Sequence, residues 1–301
     1  MNGIIIVNKP KGYTSFDVIA KLRKKLGQKK IGHMGTLDPM ATGVLPILLG
    51  ETAKFQVYSC NNQKGYIAKI QFGITTDTLD ITGKITSKKD FLIDEKKLKN
   101  TLQKFTGKIL QVPPMFSAIK QGGQKLCNLA RKGIEIERQP REIEINSIEI
   151  LDLDKKSGVL SLKIICSKGT YIRSLCSDIG EDLGCGAVLT DLERIYSNGF
   201  DIFQSAKLDT ILNSSIDEIK NKYLFPTEYL FKSKKSALVS ESQAKRFQNG
   251  GSLMLERIKS SSPFKNDEVY KIICGDKFIG LGKACLEKNE MQILKYLHLA
   301  E

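Results

Sequence analysis

Histidine is scarce in this chain, which has only His33 and His298 among its 301 residues. Zinc and most transition-metal centres in proteins depend on histidines or on closely spaced cysteines. The seven cysteines include no Cys-x-x-Cys pair, and their odd number argues against a complete disulfide framework. We therefore expect metal-free chemistry in a reducing cytoplasm.

Long apolar segments are missing as well. The longest apolar run near the start covers residues 4–7, which is too short for a membrane-spanning helix or for the core of a signal peptide. With eight prolines, 41% hydrophobic residues and 27% charged residues, the composition is typical of a globular protein. The length predicts one large domain, or a large domain with a small one, and no attachment to a membrane.

Positive charge, by contrast, is abundant: the net charge is +14 and the isoelectric point is near 9.3. Lysine and arginine neutralise phosphates and release condensed counterions, so such an excess favours an anionic partner. A solubilising surface would explain the net charge equally well. The distribution is more informative, because residues 1–31 contain eight basic residues against a single acid, Asp17.

The hydrophobic pattern predicts an α+β fold with a mainly antiparallel sheet and flanking helices, since strands and helices interleave without a strict βαβ rhythm. Apolar runs or alternation predict strands at residues 4–7, 66–72, 142–153 and 159–167. Helical spacing with capping signals predicts helices at residues 14–27, 94–105 and 169–184.

Two further segments differ in character from this pattern. Residues 113–140 are polar, begin with two prolines and offer little to bury, which predicts a mobile insertion. Beyond about residue 235, short strand-like runs are separated by turn residues and predict a small β-domain or barrel. These runs cover residues 253–258, 269–274, 278–283 and 292–297.

The loop of residues 32–45, GHMGTLDPMATGVL, is rich in glycine and places Asp38 before Pro39. Glycines permit tight backbone approach, and the proline holds Asp38 in an extended conformation. A rigid loop that presents one short carboxylate suits a nucleophile or a base. Spacing alone fits a simple Asp-Pro turn as well.

This loop resembles the signature Gly-His-x-Gly-x-Leu-Asp-Pro-x-Ala-x-Gly-x-Leu of the TruB family of bacterial tRNA pseudouridine synthases, with every fixed position present. Further family landmarks follow in order: Lys9-Pro10-Lys11-Gly12, Lys64-Gly65-Tyr66, Ser167-Lys168-Gly169-Thr170-Tyr171-Ile172-Arg173 and Leu192. The resemblance covers residues 3 to about 230. One departure is Glu193 before Arg194, where family members often carry two arginines, which puts a local phosphate contact in doubt.

The resemblance implies a pseudouridine synthase acting on uridine 55 of the tRNA T loop. Asp38 would be the catalytic carboxylate, as a nucleophile at C1′ or as a base at C2′, and both routes stay open. Arg173 would keep Asp38 ionised and oriented. Because the reaction is an isomerisation, no cofactor is expected.

Substrate contacts follow from the same resemblance. Tyr66 would stack on the flipped uracil, because a base inside a stacked loop cannot be reached by the enzyme. Tyr171 would line the pocket, His33 would contact the RNA, and Leu192 would form a wall. Lys9 and Pro10 would shape the pocket floor.

The resemblance also implies a domain organisation. Residues 1–230 would form the catalytic domain, and the insertion at 113–140 would grip RNA. Residues 236–301 would form a PUA-like RNA-binding domain. Two alternatives remain: an RNA-binding or RNA-folding module, and the related catalytic subunit of guide-RNA particles. The compact length favours a stand-alone monomer without an obligate protein partner.

Overall fold

The computed structural model describes residues 1–59 and 63–297. His298 and the end of the predicted C-terminal domain lie outside the described residues. Across the described residues, the chain builds an eleven-stranded sheet flanked by helices and, after it, a six-stranded sheet. None of the described helices is long and apolar enough to cross a membrane.

The first part of the chain contains fifteen of the strands. They are β1 (Gly3–Lys9), β2 (Ile31–His33), β3 (Thr42–Leu49), β4 (Lys64–Phe72), β5 (Ile74–Thr76), β6 (Ile85–Lys88), β7 (Gly107–Gln111), β8 (Lys120–Gln121), β9 (Gln124–Lys125), β10 (Arg141–Asp154), β11 (Val159–Cys166), β12 (Ala187–Ser197), β13 (Phe200–Asp201), β14 (Ala206–Lys207) and β15 (Leu224–Phe225). The helices are α1 (Ser15–Leu26), α2 (Glu95–Lys104), α3 (Leu126–Arg131), α4 (Ile172–Leu183), α5 (Leu208–Asn213) and α6 (Ile216–Glu218).

The large sheet has the order β14-β1-β3-β12-β4-β11-β10-β7, with β2, β13 and β15 paired beside this path. Its pairs are antiparallel except β1 with β14 and β3 with β12. The predicted α+β fold with a mainly antiparallel sheet is therefore confirmed. The short parallel contact between β3 and β12 brings the residues after the Asp38 loop against the second half of the chain.

Helix α1 forms where its sequence signals predict it. Thr14 and Asp17 make a reciprocal capping box, and Gly27 ends the helix in the left-handed conformation with φ 59°. Val18 and Leu22 are buried against the sheet. The lysines and arginine of the last turn lie outside this buried stripe. Their positive charges interact favourably with the negative end of the helix dipole.

Strand β1 contributes to two hydrophobic cores because its residues alternate across the sheet. Ile5 and Val7 belong to the core beneath α1 and α4, whereas Ile4 and Ile6 face a second cluster. That second cluster contains Phe55 and also Phe278 and Leu281 from the C-terminal part. The two parts of the chain therefore share one packed apolar interface.

The C-terminal part contains α7 (Glu241–Gln248) and the strands β16 (Ser236–Leu238), β17 (Leu253–Met254), β18 (Lys259–Ser260), β19 (Val269–Cys274), β20 (Lys277–Cys285) and β21 (Glu290–Tyr296). They form a curled half-barrel in the order β17-β21-β20-β19-β16-β18. The strands predicted at 269–274, 278–283 and 292–297 are confirmed. The continuous strand predicted at 253–258 is wrong, because a 3₁₀ turn at Leu255–Arg257 follows the two residues of β17.

The segment of residues 113–140 is more anchored than its composition suggests. It contains β8, β9 and α3, and the side chains of Met115 and Leu126 are buried. The expectation that it offers little to bury is wrong at these two positions. Its mobility stays a prediction.

Candidate active site

Asp38 and Arg173 form a two-point ion pair at the centre of the candidate site. Arg173 Nε lies 2.8 Å from Asp38 Oδ2, and Arg173 Nη2 lies 3.3 Å from Asp38 Oδ1. The Asp38 side chain keeps 35% of its surface exposed, whereas that of Arg173 keeps 5%. A buried fork thus holds a carboxylate whose outer side remains open to a substrate.

Further contacts, which could not be predicted from the sequence, fix the position of Arg173. Its Nη1 donates to the carbonyl of Thr78 at 3.0 Å, and its Nη2 donates to the carbonyl of Phe116 at 2.8 Å. Asp80 places a second, buried carboxylate 3.8 Å from Nη1. The guanidinium is therefore held from three segments, and it has little freedom to leave Asp38.

Asp80 is a site residue that sequence reading missed. Its Oδ1 accepts hydrogen bonds from the Thr78 hydroxyl at 2.9 Å and from the Thr82 backbone at 3.0 Å. The preceding Leu79 has φ 63°, an unusual conformation for leucine, and its carbonyl accepts a hydrogen bond from the Leu189 backbone N–H at 3.2 Å. The short Asp-Thr-Leu-Asp-x-Thr-Gly stretch is a turn signal, but only the fold shows that it faces Arg173.

Lys9 lies beneath the Asp38 loop and is fully buried. Its Nζ donates to the carbonyls of Tyr13 at 2.6 Å, Pro10 at 3.0 Å and Pro39 at 3.4 Å. Burial lowers the pKa of Lys9 to about 8, and the nearby Asp38 charge opposes this shift. Lys9 and Pro10 thus belong to the support of the loop, with Lys9 bound directly to the residue after Asp38.

Ser15 ties α1 to the same loop, a contact that sequence reading also missed. The Ser15 hydroxyl accepts from the Leu37 backbone N–H at 2.9 Å and donates to the Leu37 carbonyl at 3.3 Å. Both groups belong to the residue just before Asp38. A hydroxyl that satisfies one donor and one acceptor fixes the backbone there.

Arg194, which follows the departure at Glu193, supports the Asp38 loop from inside the protein. It is fully buried, and it donates from Nε to Val44 at 2.7 Å and from Nη2 to Gly35 at 2.9 Å, both carbonyl oxygens. Gly43 makes this packing possible, because a Cβ at its φ of 100° would lie 2.3 Å from the Arg194 carbonyl oxygen. Arg194 therefore braces both ends of the Asp38 loop from below.

Tyr66 faces the site from β4, directly across from Arg194 on β12. Its hydroxyl is hydrogen-bonded to Arg194, and burial raises the pKa of Tyr66 to about 12. The hydroxyl is therefore neutral at physiological pH. The ring is 5% exposed and belongs to the main core.

The remaining predicted residues are Tyr171, Leu192 and His33, which lie at three different elements. Tyr171 precedes α4 and is fixed through its backbone by Gln111, with hydrogen bonds of 2.8 and 3.0 Å. Burial raises the pKa of the Tyr171 hydroxyl. Leu192 is buried on β12, where its carbonyl accepts from Thr42 at 3.5 Å. His33 ends β2 with its Nδ1 buried and unpaired within the described part of the chain, and burial lowers its pKa.

Two protein-family models match adjacent parts of the chain, and the boundary between them lies at this site. Residues 23–172 match the model described as TruB family pseudouridylate synthase (N terminal domain), and residues 173–232 match the tRNA pseudouridylate synthase B C-terminal domain. The chain belongs to the TruB family. The two TruB matches meet between Ile172 and Arg173, so Asp38 and its guanidinium partner come from different matched regions and are joined by the fold.

Individual relatives agree with the TruB assignment. A tRNA pseudouridine synthase B of Clostridium kluyveri is 42% identical over 94% of this chain and 95% of its own length. One from Clostridium tetani is 42% identical over 99% of this chain and all of its own. A solved H/ACA RNP bound to a substrate RNA has a TM-score of 0.74 and 22% identity, covering 99% of this chain and 85% of its own, and shows a common fold.

Proposed function

We propose that this chain converts uridine 55 in the T loop of tRNA to pseudouridine, with Asp38 as the reacting carboxylate. The observation that carries the proposal is the partly open Asp38, held at 2.8 Å by the buried Arg173. Names of relatives that are 42% identical over nearly the whole chain point to the same reaction.

The reaction rearranges bonds within one nucleotide. The N1–C1′ bond breaks, the uracil turns, a C5–C1′ bond forms, and the C5 proton is replaced by one on N1. Asp38 either adds to C1′ or removes the C2′ proton to give a glycal. Arg173 supplies a fixed positive charge beside the carboxylate in both routes. Atoms balance without an oxidant, a reductant or an energy source.

Access to the glycosidic bond requires that the uridine leave the T loop. Tyr66 offers an aromatic ring beside the Asp38 loop, and Tyr171 and Leu192 supply further walls. His33, at the end of β2, is placed to contact the RNA from which the base departs. These four roles rest on the family resemblance together with the positions of the residues around Asp38.

The grip on the RNA is proposed to come from three basic regions. These are the outer face of α1, the segment of residues 113–140 and the C-terminal half-barrel, which we assign to the PUA-like type. A groove in the 113–140 segment is lined by Lys120, Lys125, Arg131 and Lys132. RNA loops are recognised mainly through shape, stacking and phosphate contacts, which such surfaces suit.

Mapping the product on tRNA tests this function. An unmodified tRNA transcript is incubated with the protein, and pseudouridine is located by carbodiimide modification and primer extension. We expect one new stop, immediately 3′ of position 55, with the wild type and with Asp152→Asn, an exposed control. A stop at another uridine, or none, would contradict the proposed substrate site.

A further inference from the structure

A second group of cations, formed by Lys64 and Arg194, lies around Gly35 in the first part of the Asp38 loop. If Gly35 carried a Cβ, that atom would be 3.1 Å from Lys64 Nζ and 3.4 Å from Arg194 Nη1. Two positive charges therefore approach the same glycine. Lys64 begins β4, and because side chains alternate along a strand it shares a face with Tyr66 two residues later.

Within residues 1–59 and 63–297, no carboxylate forms an ion pair with Lys64 or Arg194. The charge nearest to Lys64 is that of Arg194, and the neighbouring Cys166 thiol is neutral because burial raises its pKa to about 11. Burial lowers the pKa of the lysine to about 8. The charges acting on His33 are those of Arg194 and Lys64. A buried cation without an acidic partner is costly, so such a group is expected to receive an anion when the protein is at work.

Two polar atoms of this group also lack hydrogen-bond partners in the described part of the chain. Among the described residues, Lys64 Nζ makes no hydrogen bond or ion pair within the chain, in contrast to Lys9 with its three carbonyls. His33 Nδ1 is buried and has no hydrogen-bond partner in the described part of the chain. Residues 33, 35 and 64 are each partly exposed. An unpaired lysine with partial access to solvent differs from ordinary core lysines, which are paired.

We propose that Lys64, supported by His33 and Arg194 around Gly35, binds a backbone phosphate of the RNA beside the flipped nucleotide. This inference rests on the proposed function. A phosphate oxygen accepts hydrogen bonds and carries the charge that the group lacks. Gly35, at φ 85°, leaves the space above Lys64 free, and a side chain there would fill it. The site would hold the chain at the nucleotide whose base enters the Asp38 pocket.

Binding measurements with Lys64→Met test the contact. Lys69→Met is the matched control, since Lys69 lies on the same strand with its side chain exposed on the other face. Affinity for a T-arm stem-loop RNA is measured at several salt concentrations. We expect Lys64→Met to lose affinity about tenfold and to reduce the salt slope by about 0.7–0.9, the value of one phosphate contact. Equal slopes and affinities for Lys64→Met, Lys69→Met and wild type would overturn the proposal.

A chemical change in the RNA identifies the phosphate. Stem-loops are made with a single neutral methylphosphonate at each phosphate flanking the target uridine. One of them should weaken binding to the wild type and leave binding to Lys64→Met unchanged, since two changes to one contact are not additive. Additive losses at every position would overturn the inference. The wild-type scan can also refute the proposal without the variant. If no flanking methylphosphonate weakens binding to the wild type, the protein does not contact a phosphate at this place.

Tritium release from uracil C5, measured on the same preparations, separates this inference from the proposed function. If the wild type releases tritium and Lys64→Met binds RNA like the control, the phosphate contact is wrong and the enzyme activity stands. If the wild type binds RNA through Lys64 but releases nothing, the proposed function fails and the contact stands.

Discussion

Arg173 Nε lies 2.8 Å from Asp38 Oδ2, although 135 residues separate the two in the chain. Arg173 stands in the first turn of α4, where a cation is disfavoured by the helix dipole. The carbonyls of Thr78 and Phe116 and the carboxylate of Asp38 compensate for that position. The arginine therefore holds the Asp38 carboxylate from a position where its charge destabilises the helix.

Replacing Arg173 by lysine tests whether the fork geometry matters. Lysine keeps the charge but cannot bind Asp38 at two points while reaching both carbonyls, so we expect single-turnover tritium release to fall about 100-fold. RNA affinity should change little. Arg257→Lys, at an exposed arginine, serves as the control. A rate within a factor of about two of wild type would show that charge alone suffices.

Ser15→Ala removes both hydrogen bonds to Leu37. We expect kcat to fall about tenfold with KM nearly unchanged, because the backbone before Asp38 loses its anchor. Thr14→Ala is the comparison: it removes the N-cap of α1 and costs about 1 kcal/mol of unfolding free energy, but leaves Leu37 bound. Equal kcat losses in the two variants would mean that helix stability, and not loop position, sets the rate.

Two substitutions of Tyr66 distinguish the contribution of its ring to the reaction rate from the contribution of its hydroxyl. Tyr66→Phe keeps the ring and loses only the bond to Arg194, so we expect less than about a tenfold loss in kcat. Tyr66→Leu loses the stacking surface, worth about 1–3 kcal/mol per base, and should lose about 10- to 100-fold. The check is kcat/KM on the same stem-loop RNA. Identical losses would argue against stacking.

The burial of Lys64 predicts a pH dependence of stability. Burial lowers the pKa of Lys64 from 10.5 in the unfolded chain to about 8 in the folded protein. Between about pH 8 and pH 10.5, Lys64 is therefore deprotonated in the folded protein but still protonated in the unfolded chain. The free energy of unfolding therefore gains a contribution that rises with pH above about 8. Tyr66 acts in the opposite direction above pH 10, since burial raises its pKa to about 12.

Urea unfolding of wild type and Lys64→Met at pH 7, 8, 9 and 10 isolates this contribution. The variant should be more stable than wild type at pH 7, and the difference should shrink towards pH 10. A difference that stays constant across this range would show that Lys64 keeps its ordinary pKa in the folded state.

Local elements could be predicted from the sequence because their signals are local. The Thr14–Asp17 capping box and Gly27 set both ends of α1, and alternation from Tyr66 onward identifies β4. The loop motif identified Asp38, which the structure places between β2 and β3. The helix α7 was missed, although Ser240 and Gln243 form a capping box and Ala244 and Phe247 stand at helical spacing, because eight residues give only a short periodic signal.

The supporting contacts could not be predicted, because they join segments that only the fold brings together. Asp80 faces Arg173 through a strained turn held by Leu189, and nothing in its own neighbourhood indicates that partner. The sequence around Arg194 gives no signal of burial, yet strand pairing places this residue under the Asp38 loop. Burial of a charged residue is a tertiary property.

The most direct test of the central claim is tritium release from tRNA labelled at uracil C5, compared between wild type and Asp38→Asn. Asparagine keeps the shape of Asp38 but removes the charge, so we expect release by the wild type, none by the variant, and similar tRNA affinity for both. Release by Asp38→Asn at a rate near wild type would contradict the assignment of Asp38 as the reacting carboxylate.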